Sequence, residues 1–183
     1  MRGMSSMGGP GPVVSFLWLW LVMSTAMMLP ALVPAASLAT VVGQSSAVFV
    51  AAYLAVWAAA GLGAFEAARG VMGAGRWPVA AAVGLAGLYQ LSPFKDACLR
   101  RCRAPLGTLV GRGALAAGFQ HGALCLGCCW ALMLVLLALG AASLLWMAVI
   151  SVVVFVEKVT RIGARVAAPV GIALVLVAAW TVA

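Results

Sequence analysis

Charge is scarce in this chain of 183 residues: 8% of it is Asp, Glu, Lys or Arg, against about a quarter in an ordinary soluble domain. That scarcity excludes a soluble globular protein. Acidic residues are the rarest of all, with 3 Asp+Glu against 11 Lys+Arg and a net charge of +8. A basic balance of this kind suits nucleic acid only when the cations share a water-facing surface, and here long charge-free stretches separate them, so no nucleic-acid partner is expected. Histidine occurs once. No Ser/His/Asp set and no phosphate-cradling Gly-Lys-Ser/Thr motif are present, which argues against a hydrolytic triad and against ATP hydrolysis. No catalytic residue is assigned and the chain is not expected to be an enzyme.

What is abundant is apolar: 66% of the residues are hydrophobic. Between Arg2 and Glu66 no side chain is charged. The expected fold class is all-α, a polytopic transmembrane helix bundle of about six spans, since each crossing of a hydrocarbon core about 30 Å thick takes about 20 residues. The spans are placed at 13–42, 47–65, 77–91, 113–138, 141–156 and 167–183, all in one transmembrane domain with no room for a second soluble one. Pro30 and Pro34 predict a tilt or kink in the first. Gly43-Gln44-Ser45-Ser46 and Gly70–Gly75 read as turns, and Arg76-Trp77-Pro78 supplies an interfacial cation, an aromatic anchor and a helix-start proline.

Segment 93–112 is the markedly polar one, a basic loop carrying Lys95, Asp96, Arg100, Arg101, Arg103 and Arg112; Glu157, Lys158, Arg161 and Arg165 form the next. Eight cations on that side against three on the other place loop 93–112 in the cytoplasm and both termini outside. A retained first span is preferred over a cleaved signal peptide, because its apolar run exceeds an ordinary signal core.

The five cysteines are grouped: Cys98 and Cys102 in the basic loop, Cys125, Cys128 and Cys129 in the fourth span. Helical residues three and four apart stand about 5–6 Å from one another. His121, Cys125 and Cys128 therefore form a stripe, with Cys129 beside it and Met133 one turn beyond Cys129. Cys125 lies about a dozen residues into the span, roughly 18 Å along the helix axis and near mid-membrane. Thiolate, imidazole and thioether are soft donors that suit Cu(I) and, for the first two, Zn(II), whereas Mg(II) or Ca(II) would need carboxylates that this span lacks. Packing competes with ligation here, because cysteine also behaves as a small buried hydrophobe.

Around Cys98-Leu99-Arg100-Arg101-Cys102 the positive charge favours thiolate. The pair reads as a peripheral metal site, a redox couple or plain interfacial residues. Met23, Met27, Met28, Met133 and Met147 suit either a Cu(I) path or core filling. Glu66 and Glu157, at span ends, read as solvated or arginine-paired carboxylates. Gly118 and Gly122 have the spacing that lets helices approach closely.

The run Leu88-Tyr89-Gln90-Leu91-Ser92-Pro93-Phe94-Lys95-Asp96-Ala97-Cys98-Leu99-Arg100-Arg101-Cys102, the block Cys125-Leu126-Gly127-Cys128-Cys129-Trp130 with Met133, the early Ala26-Met27-Met28-Leu29-Pro30 and the late Trp146-Met147 and Glu157-Lys158 together resemble a bacterial family described as metal-binding integral membrane proteins, domain-of-unknown-function family 2182. The resemblance implies a multi-pass inner-membrane bundle with a metal site, and it brings no catalytic residue with it.

The expected function is binding of a soft transition metal, foremost Cu(I), through Cys125, Cys128, Cys129, His121 and Met133, with Cys98 and Cys102 peripheral, for metal transport or delivery. Its partners would be the lipid bilayer, the metal ion and a membrane complex or metallochaperone. Two rivals stay open: a structural or assembly subunit of a larger membrane complex, and a membrane thiol–disulfide protein.

Overall fold

The computed structural model describes residues 12–71, 75–139, 144–160 and 163–182. Among them the chain is all-helical: α1 (Val13–Val41), α2 (Ser46–Val71), α3 (Arg76–Gln90), α4 (Pro93–Cys102), α5 (Leu106–Leu109), α6 (Ala114–Leu139), α7 (Leu144–Val159) and α8 (Gly163–Val182). Residues 140–143, where the fourth and fifth spans are expected to divide, and Arg161, read above as part of a polar loop, lie outside the described residues.

The expectation of about six spans is corrected. Among the described residues two helical stretches, Ser46–Gly70 and Ala114–Ala138, are long and apolar enough to cross a membrane, and a third counts only if the bent α1 is one span. The physical reason is length. At 1.5 Å per residue α3, with 15 residues, extends about 23 Å, and α7, with 16, about 24 Å, both short of a core about 30 Å thick. Among the described residues the apolar stretch of α8 runs Arg165–Thr181 and is shorter than a span. In α1 the axis turns by 72° between Val13–Leu29 and Leu32–Val41, where Pro30 and Pro34 remove two backbone donors. A charge-free run sets an upper bound on spans; bends and breaks consume part of it.

Segment 93–112 is helical over much of its length, not a loop. Ser92 caps α4, its Oγ accepting from the Lys95 backbone N–H at 3.2 Å, and Pro93 occupies the first turn. Asp96 near the start and Arg100 and Arg101 in the last turn suit the helix dipole. Gly43, with φ +79°, ends the α1 turn. Gln44 then ties that turn to the α5–α6 junction, its Nε2 donating to the carbonyls of Leu109 (2.8 Å) and Arg112 (2.7 Å).

α2 and α6 meet backbone to backbone. A Cβ on Gly118 would lie 2.3 Å from the Phe49 carbonyl oxygen, and one on Gly122 would lie 3.0 Å from Val56. Glycine at those two positions lets the pair approach closely. α3 and α8 use the same device at Gly87 and Gly171. α1 lies against α2 through Trp20, whose indole donates to the Trp57 carbonyl at 3.0 Å. The core so formed centres on the lower half of α6, with Phe49, Tyr53, Met28 and Leu99 packed around its thiols.

Candidate metal centre

α6 turns one face inward, and that face carries His121, Cys125, Cys128, Cys129 and Met133, all at 2% exposure or less. The backbone of α6 fixes two of the thiols: Cys128 Sγ and Cys129 Sγ donate to the Cys125 carbonyl at 3.1 and 2.9 Å. Cys125 Sγ points elsewhere. It lies 3.0 Å from the Tyr53 hydroxyl of α2 and accepts from Lys158 Nζ of α7 at 2.8 Å.

Lys158 is the residue that the sequence reading missed. Assigned above to a polar loop, it is 7% exposed, and its Nζ sits among three sulfurs: Cys125 Sγ at 2.8 Å, Met28 Sδ at 3.0 Å and Cys129 Sγ at 3.9 Å. Met28 enters from α1, so three helices converge on one point. The Glu157-Lys158 pair that closes a charge-free run was the available signal, but sequence alone does not say whether such a residue reaches outward to water or inward.

Cys102, at the end of α4, also faces this group. Hydrogen bonds to the Cys125 and Cys128 sulfurs, followed by burial, hold its thiol well above the ordinary cysteine range. Cys98 is half-buried beside Gly127, where a Cβ would come within 3.1 Å of its sulfur; burial and the nearby Cys128 raise its thiol as well. The expectation that the surrounding cations favour thiolate at this pair is corrected: Arg101 does pull Cys98 down, but burial outweighs it. Nor do the two cysteines form a peripheral pair, since Cys102 belongs with the α6 thiols.

His121 and Met133 stand apart from the sulfur group. The His121 ring packs against Phe49 and Tyr53, with centroids 5.6 and 6.0 Å away, and among the described residues both of its buried ring nitrogens lack a hydrogen-bond partner. Such orphaned nitrogens carry a desolvation cost and remain available to a further ligand. Met133 lines an apolar cavity of about 470 Å³ with Trp20, Leu126 and Trp130.

Beside the thiols lies a buried ion pair. Glu157 accepts from Lys95 Nζ at 2.7 Å and from Gln90 Nε2 at 2.8 Å, and Lys95 also donates to Gln90. The reading of Glu157 as a solvated or arginine-paired interfacial carboxylate is thereby corrected: its partner is a lysine and the pair is 0% and 2% exposed in its side chains. The network joins the end of α3, the start of α4 and the end of α7, and so fixes the turn that delivers Lys158. Glu66 pairs with Arg69 at 3.4 Å on the surface.

Among the described residues no three of His, Cys, Asp and Glu are closed on a common point as a metal shell would be; the point between the sulfurs is held by the Lys158 ammonium. The donor chemistry fits a soft cation nonetheless, because the atoms around that ammonium are thiol and thioether sulfur. No curated protein and no solved structure matches the chain. A family model described as PpoB2, copper chaperone, matches residues 17–181. That supports the metal-related family expected from the sequence, under a copper description and not under the 2182 designation. With nearly its whole length covered, the chain belongs to the PpoB2 copper chaperone family.

Proposed function

We propose that the protein is an integral membrane copper chaperone that takes Cu(I) as cargo in the sulfur pocket formed by Met28, Cys125 and Cys129, with Cys102 and Cys128 within reach, and passes it to a membrane-bound acceptor. The observation that carries this reading is the set of three sulfurs from α1 and α6 around one buried cation. Soft sulfur donors in a water-poor interior suit Cu(I), which accepts two or three such ligands, and supply nothing that Mg(II) or Ca(II) needs. Binding and release of cargo require no catalytic group. α2 and α6 are the candidate spans, and the excess of Lys and Arg over 93–112 supports a cytoplasmic orientation of that segment at the inner membrane.

The test is copper quantification on protein purified in detergent under reductant. Wild-type protein is expected to retain Cu(I), and Cys125→Ser/Cys129→Ser to lose it; equal copper in the two samples would refute the assignment. A second reading, thiol–disulfide exchange, is favoured by the place of Cys102 in the same buried cluster as Cys125, Cys128 and Cys129. Titration of free thiols before and after a mild oxidant separates the two, since a redox couple loses two thiols together while copper loading is absent.

A further inference from the structure

Sulfur softness does not by itself choose a metal. Thiolates bind Cu(I) and Zn(II) alike, so a copper carrier with this pocket needs another means of telling them apart. The pocket contains one in Lys158. Its ammonium is surrounded by sulfur and, among the described residues, has no carboxylate partner, because the adjacent Glu157 is engaged by Lys95 and Gln90.

A fixed positive charge beside a bound metal repels it in proportion to the metal's own charge, so a divalent ion suffers twice the repulsion of a monovalent one. A metal held by sulfurs this close to the ammonium lies no farther from it than about 5 Å, and at an effective dielectric of about 20 that difference is at least on the order of a hundredfold in relative affinity. The same charge completes the electrostatics of the cargo complex: two thiolates and one Cu(I) sum to minus one, and the lysine brings the buried assembly to neutrality, which a water-excluded site demands.

We propose that Lys158 is a specificity-determining residue, which makes the pocket of Met28, Cys125 and Cys129 select monovalent Cu(I) over divalent Zn(II). This deepens the copper-binding reading and rests on it.

The experiment measures Cu(I) and Zn(II) affinities of the full chain in detergent, by competition with a chromophoric chelator of each ion, for wild type, Lys158→Leu and Lys158→Arg. The ratio of Cu(I) to Zn(II) affinity is expected to fall on the order of a hundredfold in Lys158→Leu and to stay within about tenfold of wild type in Lys158→Arg. An unchanged ratio in Lys158→Leu overturns the assignment, and so does a parallel loss of both affinities, which marks the residue as structural only. If Lys158→Leu loses its helical circular-dichroism signal, Lys158→Gln removes the charge while keeping a polar terminus, and carries the same expectation. Wild-type protein that binds no Cu(I) refutes the copper reading itself, whereas a Lys158→Leu protein that binds copper with the wild-type ratio refutes this inference alone.

Discussion

The ammonium of Lys158 lies 2.8 Å from the sulfur of Cys125, although 33 residues separate them in the chain. The two helices that carry them, α7 and α6, are therefore held together by a polar contact inside an apolar core. Cys125→Ala removes the acceptor and strands a buried cation, which costs about 3–5 kcal/mol. Cys128→Ala removes a thiol that donates to its own helix's carbonyl and leaves no charge stranded, at about 1 kcal/mol. Thermal unfolding in detergent should rank them in that order; equal losses would mean that Lys158 and Cys125 are not coupled.

Lys95 and Glu157 give the second prediction. Lys95→Met leaves the Glu157 carboxylate with Gln90 as its remaining partner, and breaking such a buried pair from one side costs about 3–5 kcal/mol. Lys95→Met/Glu157→Leu removes both charges and should recover more than half of that loss. A double mutant no more stable than Lys95→Met would show that the two side chains do not share their energy.

The helical class was legible because apolar runs of this length have few other ways to satisfy their backbone groups. The grouping of Cys125, Cys128 and Cys129 was legible because helical spacing alone puts them near one face. Lys95, Glu157 and Lys158 were not. A charged residue at a helix end can snorkel outward or turn inward, and which it does depends on partners such as Glu157, which follows Lys95 by 62 residues. Ser92-Pro93 with Asp96 behind it is a helix-start signature that was legible too, but its place at the end of an apolar run made it read as a span terminus. Met28 could not be told from Met27 and Met23, since thioether sulfur serves packing and ligation equally well.

Gly118 tests the helix–helix contact that presents the thiols. A methyl group there would meet the Phe49 carbonyl oxygen at 2.3 Å and force α2 and α6 apart, whereas Gly63 has nothing within 4 Å of the same added atom. Gly118→Ala should destabilise by about 1–3 kcal/mol, the usual cost of overpacking. Gly63→Ala should stabilise by roughly 0.5–1 kcal/mol through helix propensity. Melting temperatures moving in opposite directions would support the close approach; a neutral Gly118→Ala would contradict it.

Alkylation against pH tests the thiols of α4. Both Cys98 and Cys102 are held above the ordinary value of 9.0, the first by burial and the second chiefly by hydrogen bonds to Cys125 and Cys128. A thiol that keeps its proton in the fold stabilises the folded state fully below the unfolded value, and that contribution is lost as pH rises toward the folded one. Thiolate is the reacting species, so maleimide labelling of native protein should keep accelerating above about pH 9, while denatured protein levels off near there. Cys98, half-buried, should label before Cys102, which is 5% exposed. Mass spectrometry of timed samples resolves the two sites. Native labelling of Cys102 that saturates below pH 9 would mean that its thiol does not face the sulfurs of α6, and the link between the basic helix and the copper pocket would be lost.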